Sequence, residues 1–257
     1  MLPWEASYTE GKESTLTVYK TPGGDIYSIF DSLLKQSHVL IAGSSGSGKS
    51  VLVNGIVATA ITAYSPASVQ FVLIDPKRVE LSPYKSIPHT IRYASEPDDM
   101  LQALEDVATM IDRRYTDMQA RGQRKHTGSD VYVIIDELAD LMTTQKKLVL
   151  PSLQRISQVG RAAKVHIIAC TQSPLACVIP TTLKVNFDCI VGLRVRSKQD
   201  SRNILGVTGL ETLPRYGSCI MSSCEGMQRY KVPYITEDEQ NKLIQYWTDR
   251  DRCMVRI

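Results

Sequence analysis

Apolar and polar positions along the chain follow two rhythms. Short, nearly unbroken runs of β-branched and other apolar residues occur at HVLIA (38–42), VQFVLID (69–75), VYVIID (131–136), VHIIACT (165–171) and DCIVGLRV (188–195). Between them lie stretches with helical spacing at 49–64, 97–121 and 138–163, the last expected to break near Pro151. The clearest is 97–121, with apolar residues at 100, 101, 104, 107, 108, 111, 115 and 118. Ser95 and Asp98 have the spacing of a capping box before it, and Gly122 stands just past its end. Strands that are nearly continuously apolar and alternate with helices predict an α/β fold, a mostly parallel central sheet with helices on both faces. After 195 the rhythm changes. The stretch GSCIMSSCEGMQRYKVPYI predicts a C-terminal β-hairpin, followed by an amphipathic helix near 237–248. Residues 1–25 are polar and end in the turn signal TPGGD, so they read as an N-terminal arm or edge hairpin beside one domain over 26–257.

Composition changes this picture little. With 257 residues, 43% hydrophobic and 22% charged, the chain is an ordinary soluble globular protein. A net charge of +3 neither requires nor excludes a nucleic-acid partner, because a basic strip can hide inside a balanced total. The six cysteines form no C-x-x-C pair and no zinc-spaced cluster, and three lie in or beside apolar runs, the habit of reduced buried thiols. The N-terminal stretch has no apolar core of a signal peptide, and no run reaches the roughly 18 apolar residues of a spanning helix. A cytoplasmic protein with no transmembrane segment is the expectation.

Chemistry enters at the end of the first apolar run. HVLIA leads directly into GSSGSGKS (43–50) and then a helical pattern, which fits G-x-x-x-x-G-K-[ST] in its strand–loop–helix setting. Gly43, Ser44, Ser45, Gly46, Ser47, Gly48, Lys49, Ser50 and Val51 are thus the candidate nucleotide-binding residues. Glycines let successive N–H groups point at phosphate oxygens, and the helix N-terminus adds partial positive charge. Lys49 would reach the β/γ-phosphates of ATP, and Ser50 would ligate Mg²⁺. The run VYVIID ends in Asp136, a second candidate Mg²⁺ residue, and Glu137 follows as candidate general base. The run 69–75 intervenes in sequence between the two motifs, an order that points to a RecA-like P-loop NTPase fold. CTQSP brings Thr171 and Gln172 to the same edge, where a polar side chain can sense the γ-phosphate.

HVLIAGSSGSGKSVLVN, FVLIDPKRVELSPYKSIPH, VIIDELADLM, GRAAKVHIIACTQSP and SKQDSRNIL occur in this order, and over about residues 38–234 the chain closely resembles the motor domain of the FtsK/SpoIIIE family of DNA translocases. The resemblance is to a short form, of the kind carried by conjugative elements, plasmids or phages. It implies an ATPase that moves double-stranded DNA through a homo-oligomeric, hexameric ring. It also implies an arginine finger at Arg161, which by position alone is one of several cations, with Arg155 and Lys164, near a helix end. Asp75 and Lys77 of IDPK fall near the nucleotide without a clear role. SKQDSR (197–202) matches a stretch the family turns towards the pore. Lys198 and Arg202 are four apart and would share a helical face suited to DNA phosphates, with Asp200 off that face and capping the turn. Gly206 departs from the family, which often has an acid there, and LPRYG (213–217) replaces a glycine-rich turn. Two other readings stay open: a protein-secretion ATPase of the type VII kind, and a nucleotide-gated assembly subunit without turnover.

Overall fold

The computed structural model describes residues 19–20, 26–27, 29–173, 179–232 and 234–254. Of the arm expected over 1–25, Tyr19–Lys20 (β1) lies within them and pairs antiparallel with Ile26–Tyr27 (β2). The five apolar runs form strands close to their expected bounds: His38–Ala42 (β3), Val69–Ile74 (β4), Asp130–Ile135 (β6), Val165–Thr171 (β7) and Cys189–Leu193 (β8). The hairpin is Ser218–Ser223 (β9) and Gly226–Lys231 (β10). Thr90–Ala94 (β5) adds a strand that the pattern did not announce, because it is an edge strand and only its last residue is fully buried.

These strands form one sheet in the order β10-β9-β8-β3-β7-β6-β4-β5. From β8 to β5 all neighbours are parallel, and β9 and β10 close the other edge as antiparallel strands. Side chains of a strand alternate between faces, so each buried strand feeds two cores. On β3, Val39 and Ile41 join one core with helices Ile29–Leu34 (α1), Lys49–Ala63 (α2) and Glu237–Met254 (α8). Leu40 joins the other with Pro97–Ala120 (α3), Leu138–Thr144 (α4), Lys146–Val159 (α5) and Thr181–Lys184 (α6). Each fully buried Leu, Ile or Val contributes about 1.5–3 kcal/mol, so the two cores hold the sheet rigid beneath its loops. A third, smaller cluster sits under Lys198–Leu205 (α7), where Ile204 packs with Val195, Leu210 and Leu213.

Two local expectations are corrected. The capping box at Ser95 and Asp98 does not form: Glu96 is the N-cap without a side-chain bond, and Pro97 starts α3 with its backbone already fixed at a helical angle. The break in 138–163 falls at Gln145 (φ −133°), and Pro151 lies inside α5. Its missing N–H deprives only the Lys147 carbonyl, on an exposed residue that water can satisfy. Among the described residues no helix is long and apolar enough to cross a membrane.

Candidate functional site

All loops that follow the parallel strands gather at one edge of the sheet, and the phosphate loop occupies its middle. Gly43 N–H donates to Thr171 O (3.2 Å) and Ser44 N–H to Arg194 O (3.0 Å), so β7 and β8 grip the loop as it leaves β3. Gly48 ends the loop in the left-handed region (φ 107°), and a Cβ there would lie 2.8 Å from the nitrogen of Gly217. That same nitrogen donates to Ser47 O at 2.9 Å. The LPRYG stretch therefore pins the loop from outside, and only glycine allows so close an approach. Lys49 Nζ is buried and donates to Gly43 O at 3.0 Å, which closes the loop around its own lysine. Burial lowers the Lys49 pKa from its ordinary value, against Cys170, Glu137 and Asp136, which favour the charged form.

In space the strand between β3 and β6 is β7, whereas β4, which intervenes in sequence, lies on the far side of β6. This order brings Gln172 against Glu137. Glu137 is buried, its Oε1 accepts the Gln172 N–H (3.0 Å), and its Oε2 accepts from Lys77 Nζ (3.2 Å). Lys77 of IDPK is thus the counter-ion of Glu137. Burial works against its charge, yet Glu137, with Asp140 and Asp136, raises its pKa. Thr171 is spent in its own turn: its Oγ1 accepts the Ser173 N–H (3.1 Å) and donates to Ser173 O (3.2 Å). The exposed Gln172 side chain, by contrast, faces a pocket shared with Ser44 and Ser45.

Burial pushes the Asp136 carboxyl up to about 6, helped by Asp75, Glu80 and Glu137 and opposed by Lys77. A carboxyl whose folded pKa lies above its unfolded value costs stability once both states are ionised. Asp136→Asn should therefore raise the stability of the nucleotide-free protein at pH 8 by about 2–3 kcal/mol. The gain should roughly halve by pH 5 and fade towards zero below about pH 4, where the carboxyl becomes protonated in both states. His38, held down at about 4 by burial, the nearby His166 adding to the effect and Asp188 opposing it, acts on both proteins alike and drops out of the difference. Calorimetric unfolding at three pH values checks the sign. Equal stabilities at pH 8 would contradict it.

Sequence reasoning missed Glu80. Ser50 Oγ donates to Glu80 Oε1 at 2.5 Å. The loop that presents Glu80 is folded over Asp75, whose Oδ2 accepts the N–H groups of Leu81 and Ser82 (3.1 Å each). The cue was present in the acids of IDPKRVEL, but nothing local says that this loop turns back onto the helix after the phosphate loop. The acids around Ser50 and Asp136 offer oxygen donors, and the buried Asp75 Oδ1 has no hydrogen-bond partner. Four carboxylates (Asp75, Glu80, Asp136, Glu137) face two ammonium groups (Lys49, Lys77), an excess of negative charge that fits a hard divalent cation such as Mg²⁺. Among the described residues no three His, Cys, Asp or Glu side chains converge at metal spacing. A bound cation would thus take further ligands from phosphate and water, as Mg²⁺ ordinarily does.

The structure separates the two candidate finger arginines. Arg155 Nη2 is paired with Asp112 Oδ1 at 2.7 Å on the surface between α5 and α3. Arg161 is exposed in the turn before β7, at the edge of the sheet opposite the phosphate loop. Arg114 on α3 holds that turn, donating to the carbonyls of Ala163 (2.7 Å), Ser129 (2.9 Å) and Lys164 (3.2 Å).

SKQDSR forms the N-cap and first turns of α7. Ser197 Oγ accepts the Asp200 N–H (3.1 Å) and donates to Asp200 Oδ2 (2.8 Å), so Asp200 completes the cap. Ser201 and Ile204 are buried, while Lys198 and Arg202 are exposed together on the other face. Gly206 ends the helix at φ 77°, and this left-handed position accounts for a glycine there. A pocket of about 300 Å³ joins the first turn of α7 to the phosphate loop, lined by Ser44, Ser45, Gln172, Ser173, Arg196 and Asp200 among others.

A phosphate-binding loop on a mostly parallel sheet, with an acid pair two strands away, defines a RecA-like P-loop NTPase fold. The family model described as "FtsK/SpoIIIE family" matches residues 5–131 and 118–175. The chain is 35% identical over 252 residues to the DNA translocase FtsK of Staphylococcus epidermidis, covering 90% of this chain and 31% of that protein. It is 34% identical over 241 residues to the DNA translocase SpoIIIE of Bacillus subtilis, covering 85% of this chain and 31% of that protein. The chain belongs to the FtsK/SpoIIIE family, and it spans about a third of the length of these relatives. Its fold is similar to the monomer of the pCW3 conjugation coupling protein TcpA with ATPγS (TM-score 0.76, 23% identity, 95% of this chain and 73% of that one). It is equally similar to the cytoplasmic domain of the Thermomonospora curvata type VII secretion ATPase EccC (TM-score 0.76, 19% identity, 90% of this chain and 30% of that one).

Proposed function

We propose that this chain hydrolyses ATP and uses the energy to move double-stranded DNA through a hexameric ring of its own copies. The observation that carries this reading is the pocket between the phosphate loop and α7, because it sets a cation-bearing helix against residues that would sense the γ-phosphate. Loop N–H groups and Lys49 hold the β/γ-phosphates, and Ser50 and Asp136 would hold Mg²⁺, which would supply neutralising charge at the phosphate oxygens. Glu137 takes the proton of the attacking water while Lys77 and the Gln172 N–H fix its carboxylate. Lys198 and Arg202 take DNA phosphates, a grip that ignores sequence and weakens with salt.

A ring is supported by where Arg161 lies. Its turn is separated from the edge that bears the phosphate loop by the seven residues of β7, roughly 20 Å of extended chain. It cannot reach its own nucleotide, and a neighbour's is the alternative. A secretion ATPase is the weaker reading, because the likeness to EccC is one of fold at 19% identity while the sequence match is to DNA translocases at 35%.

The DNA side is tested by the double variant Lys198→Ala with Arg202→Ala. It should weaken duplex binding about equally across sequences and reduce the slope of log affinity against log salt by about 2 for each subunit that grips the duplex, one for each phosphate that is no longer neutralised. Nucleotide affinity should stay the same. An unchanged slope in fluorescence-anisotropy titrations would remove α7 from the DNA interface.

A further inference from the structure

The loop between β4 and β5 is fixed more firmly than a connection needs. Asp75 accepts the N–H groups of Leu81 and Ser82, and Arg78 sits at φ 58° with its N–H on Asp75 O (3.1 Å). Tyr84 is fully buried, and Thr90 Oγ1 donates to its carbonyl at 2.8 Å. This scaffold frames Glu80, whose Oε1 accepts from Ser50 Oγ at 2.5 Å.

A serine hydroxyl has one proton and two lone pairs. To face a cation with a lone pair it must direct its proton elsewhere, and an acceptor for that hydrogen bond fixes the rotamer. We infer that Glu80 is a positioning residue of the metal site, accepting the hydrogen bond from the Ser50 hydroxyl so that the Ser50 oxygen presents a lone pair to Mg²⁺. This rests on the reading of Ser50 as a metal ligand. Outer partners of this kind typically change metal affinity 10–100-fold when removed.

The test measures the affinity of a fluorescent ATP analogue across Mg²⁺ concentrations and in EDTA. Glu80→Ala should raise the Mg²⁺ concentration needed for tight binding about tenfold, with affinity in EDTA and the unfolding midpoint nearly unchanged. Glu80→Gln keeps an acceptor oxygen at the same reach and should restore the requirement to within about threefold of the parent. Equal defects in both variants would overturn the inference, since Glu80 would then act through its charge. No defect in either, with Ser50→Ala shifting the requirement, would make Glu80 a loop residue only. If Ser50→Ala itself leaves the Mg²⁺ requirement unchanged, the reading of the metal site fails, and this outcome is distinct from the other two.

Discussion

Glu137→Gln is expected to bind ATP as tightly as the parent protein and to hydrolyse it about 1,000-fold more slowly. Glutamine has nearly the same shape, so its carbonyl oxygen can still accept the Gln172 N–H that Glu137 Oε1 accepts at 3.0 Å. What it loses is the ability to take a proton from water. It also loses the ion pair with Lys77, but Lys77 is substantially exposed, so water screens the pair and stability should change little. Equilibrium binding of a fluorescent ATP analogue and steady-state phosphate release separate the two effects. Turnover within about threefold of the parent would remove Glu137 as the base, since a lost general base costs at least about 100-fold.

Arg161→Ala should be at least as severe, because a finger arginine is worth about 10³–10⁵ in turnover. Its defect should differ in kind. Arg161 lies across the sheet from its own phosphate loop, so the variant is expected to keep an intact nucleotide site and to fail at its neighbour's. Mixing Arg161→Ala subunits with Glu137→Gln subunits should therefore restore some hydrolysis, at interfaces where one chain supplies the finger and the other the base. Inactivity at every mixing ratio, in rings shown by mass to contain both chains, would assign Arg161 no role across an interface. Arg155 is the control: paired with Asp112 on the surface, its change to alanine should leave turnover within about twofold.

How much of this was legible beforehand depended on how local each feature is. Strands β3, β4, β6, β7 and β8 were readable because burial on both faces makes most positions apolar. The phosphate loop was readable because its glycines and its lysine lie within eight consecutive residues. Strand β5 was not, since Arg92 at its centre is partly exposed and pairs with Asp99. The break at Gln145 was misplaced because proline is a strong signal on paper, yet it costs little where water can reach the carbonyl it deprives. Lys77 and Glu80 had no readable role, since each finds its partner through folding, 60 and 30 residues away in the chain. The pairing of Arg155 with Asp112 and the place of Arg161 at the opposite edge of the sheet were not readable, since both depend on where α3 and β7 lie.

The coupling of nucleotide to DNA is tested most directly by steady-state ATP hydrolysis, measured with and without long double-stranded DNA over a series of salt concentrations. Turnover should rise severalfold with DNA, and the rise should fade steeply as salt increases, because the grip is on phosphates. Hydrolysis that is indifferent to DNA at every salt concentration, from a protein that binds nucleotide normally, would contradict a DNA translocase.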